Sequence, residues 1–148
     1  MVDSSRSRRY FLPKKERLRK KRAFEYLFEH GDSLRVGVLT FFYAQNVSAD
    51  YVEAPVSVAF AAPKRKFKRA VDRNFLKRRM REAYRLHKHI LNATPLPPGD
   101  NLILLISFRA QQRVPYQQIE KATIRGLHMI REQLRPPNDM QEAPTEIR

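Results

Sequence analysis

Arg73 Asn74 Phe75 Leu76 Lys77 Arg78 Arg79 Met80 Arg81 Glu82 Ala83 Tyr84 Arg85 is the stretch around which the chain is arranged. Wound at about 100° per residue, it divides with the residues after it into two faces. Leu76, Met80, Ala83, Tyr84, His87, Ile90 and Leu91 form an apolar face; Asn74, Lys77, Arg78, Arg81, Arg85 and Lys88 form a cationic one. The apolar face has to be buried, so this helix must cover another layer. A helix made only for solvent would intersperse acids as i,i+4 partners. Here the only carboxylates are Asp72, at the start, and Glu82. Charge runs are usually solvated faces, but repulsion this poorly relieved points to a polyanionic partner.

Working outward, the helix is preceded by a basic loop, Lys64 to Arg69, and a strand from Pro55 to Ala62. In that strand Val56, Val58 and Phe60 alternate with Ser57, Ala59 and Ala61, and Pro63 closes it. Asp72 suits the N-cap or first turn. The β-branched and aromatic run from about Leu34 to Asn46 reads as another strand, and Asn46 to Glu53 as a turn. Lys15 to Glu29 reads as a helix with Phe24, Leu27 and Phe28 on one side, stopped by Gly31.

Downstream, Pro95, Pro97, Pro98 and Gly99 form a turn-rich connection. Leu102 to Ile106 is continuously apolar, as in a strand covered on both faces. Pro115 opens a last helix carrying Ile119, Ala122, Ile124, Leu127, Ile130 and Leu134, which Pro136 and Pro137 end. The order helix, strand, strand, basic loop, helix, strand, helix predicts an α+β fold in one domain, residues 14–135. Residues 1–13 form a basic tail and residues 136–148 a polar one, both expected to be flexible.

The 148 residues suffice for one modest core. Thirty Lys and Arg against 15 Asp and Glu give a net charge of +15 and a pI near 10.7, the footprint of a nucleic-acid binder. The charge is patterned, with 10 cations in residues 1–22 and 12 in residues 64–88. No apolar run approaches the roughly 20 residues of a membrane span, and no secretory h-region is present. The absence of cysteine removes disulfides, thiolate metal sites and a cysteine nucleophile, and is compatible with the cytoplasm. His30, His87, His89 and His128 show no zinc spacing, and the acids form no constellation for protein-based phosphodiester hydrolysis. No catalytic residue and no metal ligand is therefore assigned.

The helix closely resembles the signature of the bacterial ribonuclease P protein component, Arg-Asn-Arg followed by Lys-Arg-x-x-Arg-Glu-x-x-Arg. Arg73, Asn74, Lys77, Arg78, Arg81, Glu82 and Arg85 match it, and Phe75 stands where the second arginine would be. Phe24, Phe28 and Gly31 match the family's Phe-x-x-x-Phe-x-x-Gly, and Ala70 Val71 its dipeptide before Arg-Asn. The basic loop resembles the family's Lys-Lys loop but has Lys68 where glycine is common. The likeness spans roughly residues 15–134.

The resemblance implies a small α/β sandwich with an about four-stranded sheet, three helices and a left-handed βαβ crossover. It implies the protein subunit of ribonuclease P, an endonuclease that removes the 5′ leader of precursor tRNA with chemistry housed in its catalytic RNA. Mg2+ is then expected for the RNA-catalysed reaction, with no cofactor bound by the protein alone. The expected partners are the catalytic RNA and the precursor 5′ leader, with no membrane and no obligate protein partner. Composition alone would equally fit a ribosomal or other structured-RNA binder without a role in cleavage. Residues expected to bind RNA are Lys64, Arg65, Lys68, Arg69, Arg73, Asn74, Lys77, Arg78, Arg81 and Arg85. Phe24, Phe28, Thr40 and Phe42 share faces by helical and strand periodicity. Spacing alone makes them core, whereas the resemblance makes them a cleft for the leader. A one-residue register slip would present Phe41 and Tyr43 instead.

Overall fold

A computed structural model of the chain describes residues 12–92, 96 and 99–134. The expected tails fall almost wholly outside the described residues, as do Pro95, Pro97 and Pro98. Four strands, β1 (Asp32–Val36), β2 (Leu39–Gln45), β3 (Val56–Ala61) and β4 (Leu102–Phe108), form one sheet in the order β1-β2-β4-β3. β1 and β2 pair antiparallel, as do β2 and β4, while β3 and β4 run parallel. Parallel neighbours need a crossover. It is supplied by α2 (Ala70–His87) and the single turn α3 (His89–Asn92). α1 (Lys21–His30) precedes the sheet and α4 (Tyr116–Gln133) follows it.

The continuous apolar run of β4 is explained by its central position. Leu102, Leu104, Ile106 and Phe108 enter a core with α2 and α4, while Ile103 and Leu105 enter a second with α1. In β2, Leu39 and Phe41 face the α2/α4 side, and Phe42 and Ala44 the α1 side. α2 buries Leu76, Met80, Ala83 and Tyr84, as its periodicity requires. Asp72 lies in its first turn without capping through its side chain.

Three readings are corrected. The run from Leu34 to Asn46 is two strands, because Gly37 at φ +56° lets the chain reverse through Gly37 and Val38. Val36 then pairs with Leu39, and the turn is tied down by Arg109, whose amide donates to the Val38 carbonyl at 2.8 Å and whose guanidinium donates to that of Gly37 at 2.7 Å. The first helix begins at Lys21, not Lys15. Lys14–Glu16 is a 3-10 turn, and the Leu18 amide donates to the Val58 carbonyl at 2.8 Å, so this segment lines the β3 edge. A hydrogen bond to a segment distant in sequence thus overrides local helix propensity. Finally, Lys88 leaves the cationic face: it is buried and pairs with Glu16 at 3.0 Å.

Candidate nucleic-acid interface

The basic loop is held from three sides. Phe67 is buried with its ring edge-on to Phe108, centroids 5.7 Å apart. Lys66 Nζ donates to the Arg109 carbonyl at 2.6 Å. Arg73 Nη1 donates to the carbonyls of Phe67 and Lys68 at 2.8 and 2.9 Å. Arg73, expected to touch RNA, therefore also latches the loop to the first turn of α2. With these points fixed, Lys64, Arg65, Lys68 and Arg69 stand exposed around the helix N-terminus. Backbone tied in this way presents its charges with little freedom left to lose on binding.

Along α2, which spans about 27 Å, Asn74 and Arg78 are exposed and Lys77, Arg81 and Arg85 half-buried. Arg81 leans over the Phe60 ring at 5.9 Å, on the β3 side of the helix. Arg85 forks onto Glu82 through Nε and Nη2 at 3.2 and 2.7 Å. This hydrogen bond holds the Glu82 carboxyl below its usual range, with burial opposing, and raises the guanidinium in turn. A depressed carboxylate adds stability above its unfolded pKa and loses it as pH falls through the folded value. Both side chains are more than one-third exposed, so the effect on stability is small. Arg85→Ala should move the Glu82 titration upward in a carboxyl NMR experiment; an unmoved midpoint would sever the pair.

The α1 side of the sheet is only partly covered. Thr40 pairs with Ser107, and Phe42 with Leu105, in β4. Thr40, Ser107, Ala59 and Ala61 remain half-exposed, a shallow strip of small side chains. Phe24 and Phe42 pack partly against the second core. Phe28 is 60% exposed, its ring edge-on to Phe42 at 5.6 Å. The four residues thus form one half-open surface, with Phe41 fully buried on the opposite face. β3 ends at Ala61, so the strip runs straight into the basic loop.

Other residues now join these surfaces. Arg35, opposite Thr40 in β1, is exposed beside the strip. Arg113, beyond β4, approaches Asp72 at 3.4 Å and the Phe75 ring at 4.0 Å. Neither lies in a basic run, so composition gives no signal for them. Strand alternation around Gly37 would have placed Arg35.

The described core coincides with a known family. The family model for Ribonuclease P matches residues 12–131. The ribonuclease P protein component of Chlorobaculum tepidum is 38% identical over 133 residues, covering 86% of this chain and 85% of that relative. This chain belongs to the ribonuclease P protein family. Two solved relatives share the fold: the RNase P protein of Thermotoga maritima, TM-score 0.59 at 22% identity, covering 77% of this chain and 96% of that one, and that of Staphylococcus aureus, TM-score 0.57 at 18% identity, covering 79% and 95%. A ribonuclease P protein component is the accessory subunit of an endonuclease, and its role is in tRNA 5′ processing with the RNA subunit. No helix among the described residues is long and apolar enough to cross a membrane.

Proposed function

We propose that this subunit divides its work between two surfaces. The α2 stripe and the basic loop bind the catalytic RNA; the strip between α1 and β2 holds the single-stranded 5′ leader of precursor tRNA. The stripe supports the first assignment by charge and order, since guanidinium forks suit phosphates and the loop is fastened before RNA arrives. The carrying observation for the second is Phe28, a large aromatic left 60% exposed against Phe42. Exposed aromatic faces stack on unpaired bases with little sequence preference, which suits leaders that differ between precursors. The reaction's chemistry and its Mg2+ are assigned to the RNA, and the cytoplasm is the compartment such a role requires.

Phe28→Ala tests the leader surface most cleanly, because so exposed a ring contributes little to the core. Affinity for precursor carrying a leader should fall about 5- to 150-fold, the range of one lost base stack. Affinity for mature tRNA should not change. Equal losses for both RNAs would remove the leader from this surface. Phe42→Ala should act in the same direction with some loss of melting temperature, since Phe42 also packs on the second core.

A further inference from the structure

The flank of α2 facing away from the leader strip carries a second aromatic feature. Phe75, Arg78, Arg79, Glu82, Leu86 and Tyr116 line a recess of about 450 Å³ between α2 and the first turn of α4. Its volume lies within the range of small-ligand sites. The Arg79 guanidinium lies 4.8 Å from the centre of the Phe75 ring and 5.8 Å from that of Tyr116; Arg113 approaches Phe75 at 4.0 Å. Arg79 has no carboxylate partner among the described residues. The Tyr116 hydroxyl oxygen is shielded and makes no hydrogen bond among them. A buried hydroxyl without a partner is uncommon and marks unmet hydrogen-bonding capacity. Like any tyrosine it is a donor at neutral pH, and burial with the carboxylates of Glu120 and Glu82 raises its pKa further, against the opposing pull of Arg85 and Arg79.

Arg78 both lines this recess and stands on the outer cationic stripe. A polyanion laid along the stripe therefore passes the mouth of the recess. Its wall combines aromatic rings and guanidinium planes, the two surfaces on which unstacked RNA bases rest. Its rim arginines, Arg78 and Arg79, match the phosphate that accompanies such a base. We propose that this recess receives one unpaired nucleotide of the catalytic RNA, its base against Phe75, Arg79 and Tyr116 and its phosphate on the rim arginines. At Phe75, where the signature carries arginine, the chain has exchanged a phosphate contact for a base contact. The inference rests on the assignment of α2 to the catalytic RNA.

The test is equilibrium binding of the full chain to the catalytic RNA across a salt series, with melting curves for each variant. Phe75→Leu keeps apolar volume and removes the ring; Tyr116→Phe removes only the hydroxyl. Phe75→Leu should weaken binding about 5-fold or more, the low end of one base stack, without changing the slope of log K against log salt. Tyr116→Phe should weaken it by a smaller factor, again at constant slope. Phe75→Arg should recover affinity at low salt with a slope steeper by about 0.7, the signature of one added phosphate contact on an unpaired strand. Unchanged affinity in Phe75→Leu, with or without a fall in melting temperature, would make Phe75 a packing residue and overturn the proposal. Reversal of Lys77 and Arg81, stripe residues that do not line the recess, provides the separation. If that reversal weakens binding while the recess variants do not, only the recess inference fails; if neither does, the α2 assignment fails with it.

Discussion

Reversing Lys77, Arg78 and Arg81 to Glu together is expected to reduce affinity for the catalytic RNA by on the order of a thousandfold at moderate salt, taking roughly tenfold for each lost charge-assisted hydrogen bond. The three positions occupy the outer and β3-facing sides of α2, and none belongs to its buried set of Leu76, Met80, Ala83 and Tyr84. The helix should therefore keep its packing, and circular dichroism and the melting temperature should stay close to those of the parent. The salt dependence identifies the cause. If each residue neutralises one phosphate of a double-stranded region, the slope of log K against log salt should fall by about 2.7, three times the contribution of one counterion. Loss of affinity at unchanged slope would mean that the substitutions had disturbed shape and not charge. Unchanged affinity in a folded variant would remove this face from the interface.

The second large effect concerns stability and reaches the surface proposed for the leader indirectly. Gly126 lies buried in α4 where the helix crosses the sheet, and a Cβ there would clash with Cε1 and Cζ of Phe41. Phe41 is fully buried in the middle of β2 and cannot swing into solvent. Alanine would gain about 1 kcal/mol of helix propensity over glycine, but overpacking a tight core costs about 1–3 kcal/mol and occasionally more. Gly126→Ala should accordingly lower the melting temperature by several degrees. The penalty should shrink in a Phe41→Leu background, since the two residues share one contact. A rise in melting temperature on Gly126→Ala alone would show that α4 stands further from the sheet than described. Because Phe41 lies between Thr40 and Phe42, displacing it should also impair discrimination between precursors with and without a leader.

Much of this molecule follows from local rules. The two faces of α2 are set by helical period alone, because a cationic stripe cannot be buried and an apolar one cannot be left in water. The apolar run of β4 demands cover on both sides, which the two cores provide. Alternation in β2 separates Phe41 from Thr40 and Phe42 once one face is buried, and the buried Phe41 fixes the register. Family membership was legible in the spacing of Arg73, Asn74, Lys77, Arg78, Arg81, Glu82 and Arg85, since one helix face holds all the exposed members of that pattern.

What only the tertiary structure decided involves groups distant in sequence. The β1–β2 hairpin depends on Gly37 taking a positive φ and on Arg109 securing the turn from the end of β4. The late start of α1 follows from Val58 accepting the Leu18 amide. Lys88 lies within helical reach of the cationic stripe, but Glu16, 72 residues earlier, draws it into a buried pair. Arg73 reads as a phosphate contact and also serves as the latch of the loop beside it. Phe75 reads as a lapse in a basic signature until Arg113 approaches its ring and Tyr116 arrives from beyond β4 to complete a recess beside it. Periodicity determines which side of an element a residue occupies, whereas the partner it meets there depends on how distant segments return, and single charges change roles according to that partner.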